Sequence, residues 1–376
     1  SPIENLKRIV FIPIYGQSLS VGGESTPAIT KSPKYNSLKF NTGTISRPSS
    51  PDAVTSFIPL KEDSSETSSS GTSEMFIETL MRENALYAYS KAWDNVQLLF
   101  VCPGQGSSSI EYLSNDEEGG HYNYFKNCLQ AAKNICDDNG YTIEVPAWCW
   151  IQGETDIKEG NSKSVYYEAL LSLQNKINSD VKSIIGQTND VKCICYQTGC
   201  QCLYTQNYDF NNNQMDVLTA QMEAVRDNDA FMASIPMYMM DHVIGANIHI
   251  TNISEKLLGA YQGYVLKRYL IDKEMNKGVC PLSFTVSEND ILVKYSVPCP
   301  PLEFDTNYVR ETKNMGYTCI KPDNSDIIES VSLYNDTVTI HCSETPVGCK
   351  LRYALNGESI VIPPSSKTGN SGREYG

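Results

Sequence analysis

The sequence is poor in positive charge and contains no long hydrophobic run. Its 376 residues include 30 Lys and Arg against 44 Asp and Glu, which gives a net charge of −14 and an isoelectric point near 4.8. Such a surface repels phosphate backbones and anionic lipid headgroups, so we expect neither nucleic acid nor a membrane as partner. The longest apolar runs, residues 9–14 and 98–102, are far shorter than the roughly 20 residues that cross a bilayer.

Cysteine, in contrast, is abundant, and the odd total of 13 leaves at least one thiol unpaired within the chain. A buried thiol behaves as a small hydrophobic side chain, and several cysteines lie in apolar, strand-like runs. These are Cys102, Cys149, Cys193 and Cys195. The alternative for Cys193-x-Cys195 and Cys200-x-Cys202 is a four-thiolate metal site or disulfides. Zinc sites more often use C-x2-C spacing, so we favour core cysteines and expect no metal and no cofactor.

Short apolar runs alternate five times with amphipathic segments in the first 272 residues. The apolar runs predict strands at 8–14, 96–102, 143–150, 192–197 and 231–235. Apolar residues at helical spacing predict helices at 74–93, 121–138, 163–186, 214–226 and 253–271. This alternation predicts an α/β fold with a mainly parallel sheet and helices on both faces, in which ligands bind beyond the carboxyl ends of the strands.

Two regions depart from this alternation. Residues 22–72 are rich in Ser, Thr, Pro and Gly, and this span is too long for an ordinary connection, so we interpret it as a long loop near the site. From residue 273 onward, short alternating segments predict a β-sandwich-like module with a carbohydrate-binding or structural role. We therefore predict two domains, 1–272 and 273–376.

Polar residues follow the first and the third predicted strand. The first strand ends in Gly16-Gln17-Ser18, where Ser18 is either a nucleophile in the crevice or the cap of the next helix. The third strand runs into Trp150-Ile151-Gln152-Gly153-Glu154-Thr155-Asp156, an amide and two carboxylates at a strand end. For this string we favour a functional role over a polar loop with a helix cap.

Histidine is scarce, so the candidates for a general base are few. The four histidines are His121, His242, His249 and His341. Of these, His249 comes after the last predicted strand and just before a strongly helical segment, which puts it at the rim of the crevice. Alone it would more often be a core or helix-start histidine, but together with Ser18 and Glu154 it is the best candidate for the base.

Four segments carry a resemblance to a known family. They are Gly16-Gln17-Ser18, the stretch Gln105 to Glu111, the W-x-Q-G-E-x-D string at 150–156, and Asn247-Ile248-His249. In order and spacing they resemble the SGNH-hydrolase superfamily, and most of all its carbohydrate acetylesterases, which include sialate O-acetylesterases and one group of acetylxylan esterases. The resemblance spans roughly residues 8–271. It implies the flavodoxin-like, three-layer SGNH fold and hydrolysis of esters.

The resemblance also implies roles for individual residues. Ser18 would be the nucleophile and His249 the base. The backbone amides of Ser18 and Gly106 and the side chain of Gln152 would form the oxyanion hole. Relatives often have two glycines where this chain has Gly106-Ser107, so the donating amide belongs to either residue. These roles suit the attack of a serine on an ester carbonyl, whose oxygen becomes negatively charged.

The sequence leaves open which carboxylate orients His249. Many members of the superfamily have an Asp three residues before this histidine, where the present chain has Ala246. Some acetylesterases use the Glu of the Q-G-E string instead. Glu154 is therefore our first choice, and Asp241 is the second.

We predict a serine esterase that removes O-acetyl groups from a carbohydrate, either a sialic acid or a bacterial surface polysaccharide. An esterase for lipid esters or thioesters is a weaker reading. The alternative from another class is a catalytically inactive carbohydrate-binding or structural module on the same fold, for which Ala246 is the argument. The start at Ser1 without a visible leader and the unpaired cysteines suit an extracellular or virion-associated part of a larger assembly, such as a phage tail, or a homo-oligomer.

Overall fold

The protein is built around a mostly parallel central sheet. A computed structural model describes residues 7–87, 95–199, 215–243, 248–307, 311–354 and 369–370. The strands of the central sheet are β1 (Arg8–Gly16), β2 (Leu38–Phe40), β3 (Phe57–Pro59), β4 (Val96–Val101), β5 (Thr142–Glu144), β6 (Ala147–Ile151), β7 (Lys192–Gln197) and β8 (Phe231–Pro236). Their order is β3-β2-β4-β1-β6-β7-β8, with β5 also paired to β1. Only the β2–β3 pair is antiparallel.

Helices cover both faces of this sheet. They are α1 (Ser68–Tyr87), α2 (Ile110–Ser114), α3 (Tyr122–Asn139), α4 (Glu154–Glu159), α5 (Lys163–Ile185), α6 (Asp216–Asp227) and α7 (Asn252–Lys267). Short 3-10 turns occur at Ser18–Val21, Pro51–Ala53, Met237–Met239 and Lys313–Gly316, and a π turn at Arg268–Asp272 extends α7. None of the helices in the described ranges is long and apolar enough to cross a membrane.

The two faces of β1 show how the sequence produces the layers. Ile9 and Phe11 point into a core formed with α3, α5 and α6, whereas Val10 and Ile12 point into a second core formed with α1 and α7. All four side chains are fully buried, as expected for a strand covered on both faces. The predicted three-layer α/β fold is confirmed.

One predicted strand is divided in two. The run 143–150 forms β5 and β6, which pair with different parts of β1. The break falls at Val145 and Pro146, and a proline has no N–H with which to continue a ladder of hydrogen bonds.

The Ser-rich end of the predicted long loop is helical. Helix α1 begins at Ser68, six residues before the predicted start, and its first turns are buried. A Cβ atom at Gly71 would lie 2.0 Å from the Lys256 carbonyl oxygen, and one at Gly259 would lie 2.1 Å from the Ser68 carbonyl oxygen. Small residues thus let the backbones of α1 and α7 approach closely. This tertiary packing outweighs the low helix propensity of serine and glycine.

The rest of the 22–72 segment is anchored by a buried carboxylate. Glu66 accepts hydrogen bonds from the backbone N–H groups of Ile29 and Thr30, at 2.8 and 2.9 Å, and from the Thr30 hydroxyl at 2.6 Å. Nearby, Glu62 accepts hydrogen bonds from the hydroxyls of Thr67 and Ser70, and burial raises the pKa of Glu62 to about 7. The segment is therefore packed into the protein by its own polar groups.

Antiparallel strands follow from residue 280. One sheet has the order β10-β11-β14-β13, formed by Cys280–Ser287, Asp290–Ser296, Thr337–Cys342 and Ile328–Tyr334. A second sheet pairs β12 (Tyr317–Ile320) with β15 (Lys350–Tyr353), and both sheets contribute to one small core. This agrees with a sandwich-like module. The division into two domains at residue 272 stays a prediction. Elsewhere, β9 (His242–Val243) pairs with β16 (Gly369–Asn370).

The cysteines predicted to be core residues are buried. Cys102, Cys149, Cys193 and Cys195 are at most 1% exposed, which confirms the interpretation of these four as small hydrophobic side chains. Cys200 and Cys202 lie outside the described residues. Within the described part of the chain, no group of three or more His, Cys, Asp or Glu residues has an arrangement that could hold a metal ion.

The close packing of α1 and α7 predicts that Gly259→Ala destabilises the protein. The added methyl group would overlap the Ser68 carbonyl oxygen, and overpacking of this kind costs about 1–3 kcal/mol. Urea unfolding measures the loss. Ser183→Ala on the exposed side of α5 is the control and should change the free energy of unfolding by less than about 0.5 kcal/mol. Equal stability of the wild type and Gly259→Ala would contradict this packing.

Candidate active site

Ser18 lies directly beyond the carboxyl end of β1. The strand can turn there because Gly16 has a φ of 152°, and a Cβ atom at this position would lie only 1.9 Å from the Ile151 carbonyl oxygen. The same carbonyl accepts a hydrogen bond from the Gln17 N–H at 3.0 Å. Ser18 then starts a short 3-10 turn, and its side chain is partly exposed in the crevice beyond the sheet.

The structure brings Ser18 and His249 together. His249 Nε2 lies 2.7 Å from Ser18 Oγ, although the two residues are 231 positions apart. Its backbone is held by a hydrogen bond from the Val243 N–H to the His249 carbonyl, at 2.8 Å, and by helix α7, which is capped by Thr251. At the 2.7 Å between His249 Nε2 and Ser18 Oγ, a histidine can take the proton of an attacking serine.

Gly23 makes room for this pair and was missed in the sequence. A Cβ atom on Gly23 would lie 3.0 Å from Ser18 Cβ and 3.2 Å from His249 Cδ2. Any side chain there would therefore crowd the contact between the two residues. Only the proximity of Gly23 to Ser18 in the sequence could have drawn attention to it.

Gly106 also lies against Ser18. A Cβ atom on Gly106 would be 3.6 Å from Ser18 Cβ, so the loop after β4 passes close to the nucleophile. Within the described residues, the backbone N–H groups of Ser18 and Gly106 have no hydrogen-bond acceptor. Arg47, from the 22–72 segment, donates a hydrogen bond to the Gly104 carbonyl at 2.7 Å and so supports the same loop.

The structure does not offer the side chain of Gln152 to the oxyanion. Its amide nitrogen donates to the Ser108 carbonyl, at 3.1 Å, and to the carboxylate of Asp156. Both amide hydrogens are thus used inside the protein. The amide oxygen accepts the hydroxyl proton of Tyr166 at 2.9 Å. Gln152 is fully buried and supports the loop that carries Gly106, and its role in the oxyanion hole stays a prediction.

Glu154 faces two hydroxyl groups and not the imidazole of His249. Its Oε1 accepts hydrogen bonds from Tyr196 and from Thr198, the latter at 2.8 Å. Its Oε2 is buried and has no hydrogen-bond partner among the described residues. Burial raises the pKa of Glu154, while the two hydroxyl donors act in the opposite direction. The first choice for the orienting carboxylate is therefore not supported by a contact.

Asp241, the second choice, is on the strand segment beside His249. The Asp241 carbonyl accepts a hydrogen bond from the Thr251 N–H at 2.9 Å, and the Asp241 N–H donates to the Ser254 hydroxyl at 2.9 Å. Two residues further along the same antiparallel pair, the Val243 N–H donates a hydrogen bond to the His249 carbonyl. Side chains two residues apart on a strand share one face, so Asp241 and His249 are diagonal neighbours. Ala246 lies outside the described residues.

His242, for which the sequence analysis predicted no role, is buried next to this pair. It forms a bridge with Ile250, the residue after His249. Burial lowers the pKa of His242 to about 4, against the smaller opposite effects of a hydrogen bond from the imidazole to the Met240 backbone carbonyl and of the Asp241 charge. His242 is therefore neutral at pH 7 and adds no positive charge beside His249.

Asp156 is the centre of the hydrogen bonds around the W-x-Q-G-E-x-D string. Besides Gln152, it accepts a hydrogen bond from the N–H of Ile110, the first residue of α2, at 2.9 Å, and one from the Asn161 side chain at 2.6 Å. It is fully buried, and burial raises its pKa. Asp156 thus ties the loop that contains Gly106 to the end of β6.

Comparison with solved structures agrees with this architecture. A carbohydrate acetylesterase from Xanthomonas citri matches with a TM-score of 0.59 at 12% sequence identity, over 96% of this chain and 77% of that chain. NanS matches with a TM-score of 0.43 at 13% identity, over 70% of this chain and 99% of that chain. No protein-family model matches, and a search of curated protein sequences finds no relative. At this identity the similarity to the Xanthomonas citri structure shows the fold alone, and it agrees with the three-layer α/β fold that the resemblance implied.

The hydrogen bonds of Asp156 predict that Asp156→Ala destabilises the protein by about 3 kcal/mol, because the substitution removes the acceptor of two buried donors and of the partly buried Asn161 side chain. Denaturant unfolding measures the change. Asp138→Ala, at an exposed position of α3, is the matched control and should be nearly neutral. A loss for Asp156→Ala no larger than that of the control would show that the network is not formed.

Proposed function

We propose that the protein is a serine esterase that removes O-acetyl groups from a carbohydrate. The observation that carries this proposal is the 2.7 Å contact between Ser18 Oγ and His249 Nε2 at the carboxyl edge of the parallel sheet. Ligands of open α/β sheets bind at this edge. A serine and a histidine at hydrogen-bond distance are the pair that acyl transfer needs.

The reaction begins with the proton of Ser18. His249 Nε2 accepts this proton as Ser18 Oγ attacks the acetyl carbonyl carbon, and the carbonyl oxygen becomes an oxyanion. The intermediate collapses, His249 returns the proton to the departing sugar oxygen, and an acetyl group remains on Ser18. Water, deprotonated by His249, then attacks the acetyl-enzyme, and His249 gives this proton to Ser18 Oγ as the Ser18–acetyl bond breaks and acetate leaves.

The oxyanion is stabilised by backbone groups in this proposal. Gly106 lies against Ser18, and no hydrogen-bond acceptor is found for the N–H groups of these two residues within the described part of the chain, so we assign both groups to the developing charge. Donors fixed before the reaction lower the barrier without reorganisation. Gln152 and Asp156 contribute indirectly, because they hold the loop that presents Gly106.

Asp241 is the carboxylate that we assign to the orientation of His249. Asp241 lies on the same face of the antiparallel pair as His249. In contrast, Glu154 Oε1 accepts hydrogen bonds from the hydroxyl groups of Tyr196 and Thr198. A carboxylate beside the imidazole selects the tautomer whose Nε2 is free to accept a proton, and it stabilises the imidazolium that forms.

The substrate class rests on the resemblance in the sequence and on one solved structure. The Xanthomonas citri protein that shares the fold over 96% of this chain is described as a carbohydrate acetylesterase. The net charge of −14 would repel polyanionic nucleic acid, so nucleic acid is not proposed as a substrate. Acetylated sialic acid and acetylated bacterial polysaccharide are the two substrates to compare.

Loss of the nucleophile predicts loss of activity. Ser18→Ala should reduce the hydrolysis of p-nitrophenyl acetate by at least about 10³-fold, because in this proposal Ser18 is the group that forms the acetyl-enzyme. His249→Ala should cause a similar loss. Release of p-nitrophenol measures both rates, and circular dichroism verifies the fold of each variant.

Wild-type protein without activity on p-nitrophenyl acetate, acetylated sialic acid and acetylated polysaccharide would contradict the proposal. So would a Ser18→Ala variant that is as active as the wild type. In either case a catalytically inactive carbohydrate-binding or structural module would become the better hypothesis.

The two candidate carboxylates predict different results. Asp241→Asn should lower kcat by about 10³-fold and move the acidic limb of the kcat/KM profile to lower pH, because the imidazolium of His249 loses a negative neighbour. Glu154→Gln should lower kcat much less and leave that limb in place. A reversed order of the two variants in the pH profile would assign the orienting role to Glu154.

A further inference from the structure

Arg47 belongs to the 22–72 segment, but its side chain is bound to the loop after β4. The same guanidinium nitrogen, Nη1, donates to the Gly104 carbonyl oxygen at 2.7 Å and to Gln105 Oε1 at 3.0 Å. No ion pair joins Arg47 to a carboxylate within the part of the chain that the structure describes. The guanidinium therefore acts on the loop that leads to Gly106.

The backbone on both sides of Arg47 is anchored to the α/β core. The Ser46 N–H donates to the carbonyl of Cys102, directly after β4, at 3.3 Å. The Pro48 carbonyl accepts a hydrogen bond from the Asn127 side chain of α3 at 2.9 Å. Although the Arg47 side chain is exposed, it reaches the loop from a fixed position.

One peptide group of this loop is held at both ends. Arg47 binds the carbonyl oxygen of the peptide between Gly104 and Gln105, and the Gly16 carbonyl accepts the N–H of the same peptide at 3.0 Å. A peptide group is planar, so only the φ and ψ angles of Gln105 separate it from the N–H of Gly106. The Gln105 side chain is also held by Arg47. Arg47 thus acts on both the backbone and the side chain of the residue before Gly106.

His121 binds the preceding carbonyl of the same loop. Its Nε2 lies 2.9 Å from the Pro103 carbonyl oxygen, and Nε2 carries the proton because a carbonyl oxygen only accepts. Burial lowers the pKa of His121 against the effect of this hydrogen bond, and the charge of Arg47 acts in the same direction as burial. The ring is buried among three tyrosine rings, those of Tyr15, Tyr112 and Tyr124. The start of the loop is therefore fixed independently of Arg47.

We propose that Arg47 is a positioning residue for the oxyanion, which sets the direction of the Gly106 N–H by holding the peptide between Gly104 and Gln105. The inference rests on the proposed function, because the Gly106 N–H is one of the donors in that mechanism. Through Arg47, the 22–72 segment takes part in the reaction without a contact between Arg47 and the substrate.

The expected effect follows from the cost of a misplaced donor. Loss of one oxyanion donor costs about 10²–10³ in kcat, and a displacement of about 1 Å can cost about 10². Arg47→Met keeps most of the side-chain length but removes the donor to Gly104 and Gln105. It should lower kcat by about 10- to 100-fold. KM should change by less than about twofold, because the charge on the carbonyl oxygen develops only after the substrate has bound.

Two readouts separate positioning from a general loss of structure. Phenylboronic acid forms a reversible tetrahedral adduct with an activated serine and so imitates the oxyanion intermediate. Its inhibition constant should rise in Arg47→Met by the same factor by which kcat falls. Arg47→Lys should recover part of kcat, since an ammonium group can donate to the Gly104 carbonyl but lacks the planar geometry of the guanidinium.

Steady-state hydrolysis of p-nitrophenyl acetate by the full chain, with and without phenylboronic acid, tests the inference. The matched control is Arg82→Met, at an exposed position of α1, which should leave kcat and the inhibition constant unchanged. Inactive wild-type protein would overturn the proposed function and this inference with it. Active wild-type protein together with an unchanged kcat in Arg47→Met would overturn this inference alone. So would a loss confined to KM, which would assign Arg47 to substrate contact, or a fall in kcat with an unchanged inhibition constant.

Discussion

The close approach of β1 and β6 at their carboxyl ends is the constraint on which the candidate site depends. Gly16 lets the backbone of β1 press against Ile151, and the Gln17 N–H bonds to the Ile151 carbonyl. The Gln17 side chain then accepts hydrogen bonds from the N–H groups of Gly153 and Thr155, at 3.4 and 3.2 Å. These bonds fix where Ser18 leaves the sheet. His249 lies beside Ser18 because the chain returns to the same edge of the sheet in the segment between β8 and α7.

The polar string after β6 is best understood as the framework of this edge. A buried polar group is stable only when its hydrogen bonds are satisfied, and Gln152 and Asp156 satisfy theirs on each other and on the loop after β4. Trp150 extends the network through a 3.2 Å hydrogen bond to Tyr166. In the proposed mechanism the reacting groups lie outside the string, and Gln152 and Asp156 support the loop that carries Gly106.

Sequence patterns predicted the main strands and the long helices, and they placed Ser18 and His249 at the same edge of the sheet, because hydrophobic periodicity and the position of residues at strand ends are local properties. They did not predict the short strands β2 and β3, which lie in the segment expected to be a loop, or the short helices α2 and α4. They did not predict what Gln152 and Glu154 contact. An amide or a carboxylate at a strand end has the same pattern whether it faces a substrate or a neighbouring loop. The early start of α1 was also missed, since only the close packing of Gly71 and Gly259 makes a Ser-rich turn helical. Gly23 was missed because its importance depends on its closeness to Ser18 and His249 in the folded protein, which no local sequence pattern shows.

Covalent labelling of Ser18 tests the central claim most directly. A fluorophosphonate reacts with a serine only when a neighbouring base activates it, so the mass of the adduct and its position in the sequence report the Ser18–His249 contact itself. The account predicts one adduct per chain, located on Ser18, and little labelling in His249→Ala. An adduct on another residue, or equal labelling of the wild type and His249→Ala, would contradict it.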